Sequence, residues 1–444
     1  MARQVPERAA GPAGEAGRAD RPGPAAQVRR VALASAIGTT IEWYDYFIYS
    51  TATALVFNRA FFPSLSPSAG TLAAFATLGV GFVARPIGGI VWGHFGDRAG
   101  RKTMLVLSLV LMGLATAGVG ALPTFGQAGV LAPVLLVVLR LLQGISAGGE
   151  WGGAALMAVE HAPPGRRGRY GSFSQIGVPA GLILAQLVFF AVSSALSPAE
   201  FRSWGWRVPF LASLVLVAVG LAIRLRVEES PVFARLRESG ERSRVPIVDV
   251  LRRRPREVLV AAASFIANTA IGYIFFAYLL SYGTSVLKLS SDTMLVVVIA
   301  GSVTWLAAIV GSAVWSDHVG RKPVYLAGSV LLVVWPVPFF LLVDTRQPAL
   351  LLVAVVVLNL GLGATYGPQS ALFSELFEPQ FRYSGASFAY AAGAVLGGSF
   401  APLIATALRT STGTSFSVSL YMVGVGLISL VAVLALRRTP VTAG

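Results

Sequence analysis

The feature that most constrains this chain is a series of long apolar stretches that recur along nearly its whole length. Each has 18 or more mainly apolar residues, enough for a helix to cross a hydrocarbon layer about 30 Å thick. They exceed the length of a barrel strand and lack its apolar alternation. The pattern predicts an all-α membrane protein with twelve transmembrane helices. Their approximate bounds are 31–57, 71–95, 103–122, 130–158, 170–194, 207–226, 257–286, 293–316, 323–342, 348–373, 384–409 and 415–436.

The composition agrees with a bilayer environment. Hydrophobic residues make up 55% of the 444 residues, charged residues 12%, and the mean hydropathy is +0.71. Cysteine is absent and the three histidines are scattered, which excludes disulfides and favours no metal site. Gly144–Gly148 matches the string of a serine-hydrolase elbow, but it lies inside an apolar helix without a preceding strand. We therefore expect no cofactor, no metal and no enzymatic activity.

The net charge of +15 reflects membrane topology rather than nucleic-acid binding. Most of the 35 Lys and Arg residues lie in the N-terminal tail and in alternate loops, on one side of the membrane. Lys and Arg are enriched in cytoplasmic loops, so both termini are expected to be cytoplasmic. The sequence predicts a multi-pass protein of the cell membrane that contacts lipid and no nucleic acid. The opposite loops carry Arg59, Arg202, Arg207, Lys288, Arg346 and Arg409.

A charged turn between the second and third stretches is repeated between the eighth and ninth. Gly93–Lys102 and Ala313–Lys322 share an Asp-x-x-Gly-Arg-Lys ending, in which Asp97 corresponds to Asp317. A second pattern, a glutamate followed a few residues later by an arginine, also occurs once in each half of the chain. The chain is therefore a duplicated half, and the one long polar insertion between the copies is the expected linker. We predict a cytoplasmic tail at 1–28, bundles at 29–226 and 257–438, and a linker at 227–256.

Ionisable residues inside the first, second and fourth stretches mark the candidate transport site. Glu42, Asp45, Tyr46 and Tyr49 fall within roughly a 100° arc of one helix face. Two arginines and a glutamine join them from the other stretches: Arg85, Arg140 and Gln143.

Charges inside the bilayer cost about 2.5–3.5 kcal/mol each on the insertion scale, so these residues must face a wet cavity or one another. A carboxylate left without a partner favours its protonated form when buried. We hypothesise that Glu42 or Asp45 binds the coupled proton, while Arg85 and Arg140 hold a substrate carboxylate or release the proton-binding carboxylate from its ion pair. The alternative is a static ion-pair network that fixes helix packing.

Further polar residues are expected to face the cavity or to form hydrogen bonds between helices. The C-terminal half has no carboxylate or arginine at mid-span, so protons are expected to pass through the N-terminal half. With Arg85, Tyr46, Tyr49 and Gln143, the candidate substrate-binding residues are Asn268, Tyr273, Asn359, Tyr366 and Gln369.

The charged turns have a mechanical interpretation. Gly93 allows close helix approach, and arginines of each turn can reach a glutamate of the same half, so that such pairs close an inner gate. At exposed sites each pair contributes about 0–1 kcal/mol, which closes a gate without locking it. The candidate gate residues are Gly93, Asp97, Arg98, Arg101, Glu150, Glu160, Arg167, Asp317, Arg321, Glu375 and Arg382.

The repeated turn resembles the loop motif of the major facilitator superfamily. Further matches resemble its metabolite:proton symporter family, with the first helix most similar to the shikimate-type branch. The resemblance implies two six-helix bundles and proton-driven uptake of small organic acids or zwitterionic osmolytes, with Arg140 at the position associated with proton coupling. The matching segments are Ala34–Asp45, Arg85–Gly89, Arg140–Ala154, Glu228–Pro231, Tyr366–Gln369 and Arg382–Gly385.

The expected function is import of a small organic anion with protons by alternating access, in a monomeric transporter. Uptake of a zwitterionic osmolyte is the alternative, although osmosensing relatives usually carry a longer C-terminal extension than the few residues after Arg438. A drug-exporting antiporter is less favoured, because such cavities are more apolar and need not hold two buried arginines. A non-transporting sensor would need an output domain.

Overall fold

The computed structural model describes residues 24–99, 101–147, 159, 162–163, 165–226, 252–377 and 382–436. Within these residues twelve long helices follow one another, one for each apolar stretch. They are α1 Pro24–Ala52, α2 Pro67–Ala99, α3 Arg101–Ala121, α4 Leu131–Ser146, α5 Arg167–Ala195, α6 Val208–Arg226, α7 Pro255–Tyr273, α8 Ser291–Val319, α9 Arg321–Val334, α10 Pro348–Tyr366, α11 Arg382–Gly398 and α12 Phe416–Ala435.

Five of these helices continue after a local break. α1 and α7 each pass through a π-helical turn, Thr53–Phe57 and Ile274–Tyr278, so the irregularity recurs in both halves. The prolines at the breaks of α9, α10 and α11 lack a backbone donor, which explains why those helices restart. The continuing segments are Asn58–Phe61, Leu279–Ser285, Pro336–Val343, Gln369–Leu376 and Ala401–Thr412.

The expected all-α membrane fold is confirmed. Among the described residues, eight helices are long and apolar enough to span a membrane, or nine when the two parts of α9, bent by 49°, count as one. α3 and α4 contribute shorter apolar segments, Val106–Ala121 and Leu131–Ser146. α1 begins at Pro24, inside the segment 1–28 that the sequence assigned to the tail. Most of the predicted linker, residues 227–251, lies outside the described part.

The two halves of the chain pack in matching ways. α1 lies along α5 and α7 lies along α11, while α2 packs on α4 and α8 packs on α10. The halves meet where α5 contacts α8 and where the outer part of α11 contacts α2. We call the side of the α2–α3 and α8–α9 turns the loop side, and the other the opposite side.

Glycines set the close approach of the paired helices. A Cβ added to Gly181 of α5 would lie 2.7 Å from Thr40 O, and one on Gly393 of α11 would lie 2.7 Å from Ala262 O. A Cβ on Gly144 of α4 would lie 2.7 Å from the Ala84 side chain. Small residues therefore let the backbones of α1 and α5, and of α7 and α11, touch at equivalent places in the two halves.

Replacing Gly181 with Ala is expected to destabilise the fold. The new methyl group would meet Thr40 O at 2.7 Å and Tyr44 N at 2.9 Å, and backbone atoms cannot rotate away. Overpacking of this kind costs about 1–3 kcal/mol. The melting temperature of the purified protein in detergent should fall. Gly424→Ala in α12 is the control, because nothing lies within 4 Å of its added Cβ; equal losses in both variants would contradict the packing argument.

Candidate functional site

Three helices of the N-terminal half place polar side chains around a cavity. α1 supplies a face of acidic and aromatic residues, and α2 and α4 each supply an arginine. The hypothesised cluster is therefore brought together in space. The polar residues that line the cavity are Glu42, Asp45, Tyr46, Arg85, Arg140 and Gln143.

Arg140 is the most deeply buried cation of this cluster, with 3% of its surface exposed. Its Nη1 donates to Gln143 Oε1 at 3.1 Å, whereas its Nε–H is buried without an acceptor. The guanidinium carbon lies 4.2 Å from the centre of the Tyr49 ring and 4.9 Å from that of Tyr46. Within the described residues no carboxylate oxygen lies within 4.0 Å of it. Aromatic faces and one amide, rather than an ion pair, hold this charge.

Asp45 is buried on the neighbouring wall, with 2% of its surface exposed, and neither carboxylate oxygen accepts a hydrogen bond of acceptable geometry. The Thr116 hydroxyl lies close to this carboxylate. That hydroxyl donates to Met112 O at 2.8 Å and accepts from Gln143 Nε2 at 2.8 Å, so it has no proton left for the carboxylate. A buried carboxylate without donors is costly in its charged form.

Arg85 and Glu42 lie at the half-exposed edge of the cavity. The Arg85 guanidinium carbon lies 4.5 Å from the centre of the Phe82 ring, 5.6 Å from that of Tyr46 and 5.8 Å from that of Trp43. Both arginines of the cavity are thus supported by rings of α1 and α2. The Tyr49 hydroxyl, in turn, donates to Thr77 Oγ1 at 2.7 Å, which fixes the ring under Arg140.

A second chamber shares Trp43 with the first and is lined mainly by the C-terminal half. Three of the predicted residues, Asn268, Tyr273 and Tyr366, line it. Tyr273 also crosses the boundary between the halves, since its ring centre lies 5.7 Å from that of Tyr46. The two hydroxyls are neighbours but lack the geometry of a hydrogen bond.

Two predicted residues of the C-terminal half lie outside both chambers. Asn359 is fully buried in α10 and donates from Nδ2 to Val355 O at 2.8 Å, so part of its polarity is used within its own helix. Gln369 is also fully buried, just after the break in α10, and neither of its side-chain polar atoms has a hydrogen-bond partner.

The sequence did not single out the aromatic and small residues that shape the site. Trp43 lines both chambers, and Phe82 supports Arg85. Gly81 allows Arg140 to lie against α2, since a Cβ there would come within 2.6 Å of Nε. Apolar residues in a membrane span carry no periodic signal of function, because lipid-facing and cavity-facing positions look alike. Trp43 is the exception, because it lies next to Glu42 and close to Asp45 in the sequence and could have been included with that polar cluster.

On the loop side, Asp317 at the end of α8 caps the start of α5 from the other half. Its two carboxylate oxygens accept from Gly168 N at 2.8 Å and from Arg169 N at 2.9 Å. Arg166, the residue that precedes the helix, makes no side-chain cap of its own. Free N–H groups of a first turn attract negative charge, so this contact joins the halves electrostatically.

Arg321 holds that aspartate in place. Its Nη1 forms an ion pair with Asp317 Oδ1 at 2.6 Å, and its Nε lies 3.4 Å from Glu375 Oε1. These predicted gate residues therefore meet, whereas Arg167 is exposed at the helix start. Gly93 lies in α2. The other predicted gate residues fall outside the described part of the structure, either with their side chains only (Asp97, Arg98, Arg101 and Arg382) or entirely (Glu150 and Glu160).

On the opposite side, α5 and α8 are joined again. The Ser193 hydroxyl of α5 donates to Asp292 Oδ1 of α8 at 2.6 Å. Elsewhere between the halves, the ring of Phe47 in α1 packs edge to face on that of Phe276, in the π-helical turn after α7, with centres 4.7 Å apart. An aspartate at each end of α8 therefore contacts α5, one at the first turn and one at the last. The halves touch on both sides of the chambers in this conformation.

Comparison with known proteins identifies the family. The model of the Major Facilitator Superfamily matches residues 35–402 and 291–444. The chain belongs to the major facilitator superfamily. Members of this superfamily are membrane transporters, so the protein is a multi-pass transporter of the cell membrane and not an enzyme, as its sequence predicted.

The relatives among major facilitator proteins are metabolite transporters. The chain is 39% identical to the shikimate transporter of Escherichia coli over 93% of this chain and 95% of that protein. It is also 39% identical to the inner membrane metabolite transport protein YhjE of the same organism, over 92% and 94% of the two chains. The proline/betaine transporter of Escherichia coli is 30% identical over 93% and 84%.

Solved structures confirm the fold. The proton:xylose symporter XylE bound to 6-bromo-6-deoxy-D-glucose superposes with a TM-score of 0.73 at 18% identity, covering 92% of this chain and 95% of that one. A partially occluded inward open conformation of XylE from Escherichia coli gives the same TM-score. The two six-helix bundles implied by the sequence resemblance are therefore present.

Replacing Asp317 with Asn is expected to weaken the loop-side contact between the halves. Hydrogen bonds to a charged group contribute about 1.5–3 kcal/mol, so the open population should rise at least about tenfold. The chain has no cysteine, so a single cysteine at the buried Ser370 can report opening. Its labelling by a membrane-impermeant maleimide in inside-out vesicles should accelerate in the Asp317→Asn background.

Asp292→Asn is the matched control, because it alters the contact between the same two helices on the opposite side. Equal acceleration by both variants, or none by Asp317→Asn, would show that the loop-side cap does not hold the halves together.

Proposed function

We propose that this protein imports a small organic acid together with protons. The observation that carries the proposal is Arg140, a guanidinium at 3% exposure that faces a cavity without a carboxylate partner among the described residues. Two desolvated cation–π contacts at roughly 2 kcal/mol each do not offset the several kcal/mol lost on burying the charge. A solute carboxylate completes the site, because the guanidinium offers it unused N–H donors.

The same cavity explains why a proton would accompany the anion. With Arg85 and Arg140 positive and Glu42 and Asp45 negative, the cavity is formally neutral when empty. A bound monoanion would add one negative charge at low dielectric, where like charges repel strongly. Protonation of Asp45 restores neutrality, so anion and proton bind best together. Of the two carboxylates, Asp45 is the better proton site, because it is the more buried and accepts no hydrogen bond.

Alternating access then requires the two lines of contact to break in turn. On the loop side the Asp317 cap of α5 must separate, and on the opposite side the Ser193–Asp292 bond and the aromatic contacts must separate. The cavity is formally neutral when empty and again when it holds both the anion and the proton, but it carries net charge when only one of the two is bound. A neutral cavity can be enclosed at lower cost than a charged one, so the empty and the fully loaded states can change conformation and the half-loaded states cannot do so readily. We propose that both termini are cytoplasmic and that the transporter acts as a monomer.

The relatives support this reading. The shikimate transporter and YhjE, both at 39% identity, favour a metabolite as the solute. The proline/betaine transporter at 30% identity favours the alternative, a zwitterionic osmolyte. A zwitterion adds no net charge, so it would leave Asp45 without a role in restoring neutrality. The positive charges of Arg85 and Arg140 in the cavity also disfavour export of cationic drugs.

Replacing Asp45 with Asn is expected to abolish accumulation while preserving exchange. The amide keeps the shape of the side chain but cannot take up a proton, so a pH gradient no longer drives net uptake. Proteoliposomes with shikimate and a panel of small carboxylates as test solutes measure both quantities. Gradient-driven uptake should fall at least about tenfold, whereas counterflow of labelled solute stays within about twofold. Glu42→Gln is the matched control and should retain proton-driven uptake. Coupling that survives both substitutions rejects a carboxylate of α1 as the proton site.

Replacing Arg140 with Gln is expected to remove binding of the acid. Loss of one partner from a buried charge pair costs about 3–5 kcal/mol, so the dissociation constant should rise at least about 100-fold. Arg140→Lys keeps the charge but not the planar fork, and should give an intermediate loss. Quenching of intrinsic tryptophan fluorescence by the acid measures binding. Unchanged affinity in Arg140→Gln would show that the carboxylate binds elsewhere.

A further inference from the structure

The break in α10 places the start of a helix inside the protein, next to the contact between the halves. α10 is interrupted at Gly367 and Pro368 and continues as Gln369–Leu376, which we call the second part of α10. Tyr366, just before the break, lines the second chamber. Glu375, near the far end of the second part, reaches Arg321 on the loop side. The start of the second part therefore lies between the second chamber and the loop side.

The carbonyl groups before the break are paired by side chains of three other helices. Asn268 Nδ2 donates to Leu362 O at 2.9 Å, and Ser312 Oγ donates to Gly363 O at 2.8 Å. Gln175 Nε2, from α5 of the other half, donates to Tyr366 O at 3.3 Å. Side-chain donors thus satisfy the carbonyl end of the break.

The N–H end of the break has no such support. Pro368 precedes the second part and provides no side-chain cap. Its carbonyl accepts the first helical bond, from Leu372 N at 2.9 Å. The N–H groups of Gln369, Ser370 and Ala371 come before that bond, and a first turn has no acceptor for them within its own helix.

The same turn carries unpaired polar side chains. Gln369 is 0% exposed and Ser370 2% exposed, and none of their side-chain polar atoms has a hydrogen-bond partner. A Cβ added to Gly171 of α5 would lie 2.5 Å from the Ser370 hydroxyl oxygen, so this hydroxyl faces the other half. One turn later, by contrast, Ser374 Oγ donates to Ala371 O at 2.8 Å. Buried polar groups are nearly always paired, so two unpaired side chains at one helix start point to a ligand.

The chemistry of this turn suits an anion. The first N–H groups of a helix carry partial positive charge and attract carboxylates. The amide of Gln369 and the hydroxyl of Ser370 add two further kinds of donor. All these donors are uncharged, so they hold a carboxylate less strongly than the guanidinium of Arg140 does. A weaker site of this kind can receive an anion and then release it.

We infer that the start of the second part of α10 is a transient binding site for the carboxylate of the transported acid, occupied as the acid passes from Arg140 to the loop side. The inference rests on the proposed function, which supplies the acid and its position at Arg140. In this conformation α5 covers the turn, since Gly171 lies against Ser370 and Gln175 bonds to Tyr366 O. Separation of the Asp317 cap moves the start of α5 away and opens the turn to the loop side.

Protection of a single cysteine at the turn tests this inference. Ser370→Cys is combined with Asp317→Asn, which opens the loop side, and with Arg140→Gln, which removes the carboxylate site in the arginine-containing cavity. In inside-out vesicles, shikimate should slow labelling of the new cysteine by a membrane-impermeant maleimide until the turn is saturated. Its uncharged methyl ester should give no protection at the same concentrations. The other carboxylates of the transport panel are measured in parallel.

Gln369→Met and Ser374→Ala are the paired variants in this assay. Gln369→Met keeps the length of the side chain but removes its donor, so half-maximal protection should need about tenfold more shikimate, the loss expected for one hydrogen bond to a charged group. Ser374→Ala is the matched control, because Ser374 lies on the same segment and is already bonded within its helix. It should leave protection unchanged. Equal protection by the methyl ester, or protection that Gln369→Met does not weaken, overturns the inference.

Gln369→Glu tests the electrostatics of the turn without any solute. A carboxylate in the first turn of a helix is stabilised by the N-terminal N–H groups, so the new side chain should occupy the site itself. Purified Gln369→Glu should melt at a higher temperature than Gln369→Met in detergent, and shikimate should no longer protect the cysteine. A lower melting temperature for Gln369→Glu than for Gln369→Met would show that the turn does not favour negative charge.

Transport by the wild type separates the inference from the function on which it rests. If the wild type takes up an acid of the panel with protons but no acid protects the cysteine, the proposed function holds and the assignment of the turn fails. If acids protect the cysteine but the wild type transports none of them, the proposed function fails, and the inference fails with it.

Discussion

The buried charge of Arg140 is the constraint on which the rest of the site depends. A guanidinium at this depth needs a counterion or a substitute for water, and the described residues supply no carboxylate. Two tyrosine faces and the amide of Gln143 support it, and Tyr49 is itself fixed by Thr77. Gly81 is required because any side chain there would displace the guanidinium. Aromatic support stabilises the cation partly and leaves its N–H groups available, whereas a permanent ion pair would have consumed them.

The duplication of the chain explains how the site can be enclosed from either side. Both halves use the same helix pairs, with glycines at the close contacts, and both carry a π-helical turn in their first helix. Between the halves, α5 packs along α8, and a polar contact joins these two helices near each end. The cap that Asp317 provides for α5 joins a carboxylate to two backbone N–H groups. Such a contact is specific in geometry yet modest in energy, about a few kcal/mol, so binding of a solute can shift the balance.

Part of the candidate site followed from sequence spacing. The sequence placed Glu42, Asp45, Tyr46 and Tyr49 on one helix face, because three to four residues per helical turn is a local property. The manner in which Arg140 is held was not foreseen: the sequence left open an ion pair with an acidic residue, and the described contacts are with aromatic rings instead. In the C-terminal half, Asn359 and Gln369 lie outside the chambers although their polarity made them candidates. Residue type alone does not distinguish a buried amide that bonds to its own helix from an amide that faces a cavity.

The sequence alone determined the all-α membrane class, the number of long helices, the duplication and the family, because each depends on residue type and spacing along one chain. Only the tertiary structure decided which side chains meet. It showed that Trp43 divides two chambers of different polarity, that Asp45 accepts no hydrogen bond, and that Asp317 caps a helix of the other half. These facts depend on contacts between helices far apart in the chain. In a membrane-spanning helix most positions are apolar, so hydropathy cannot indicate which face meets lipid, a neighbouring helix or the solute.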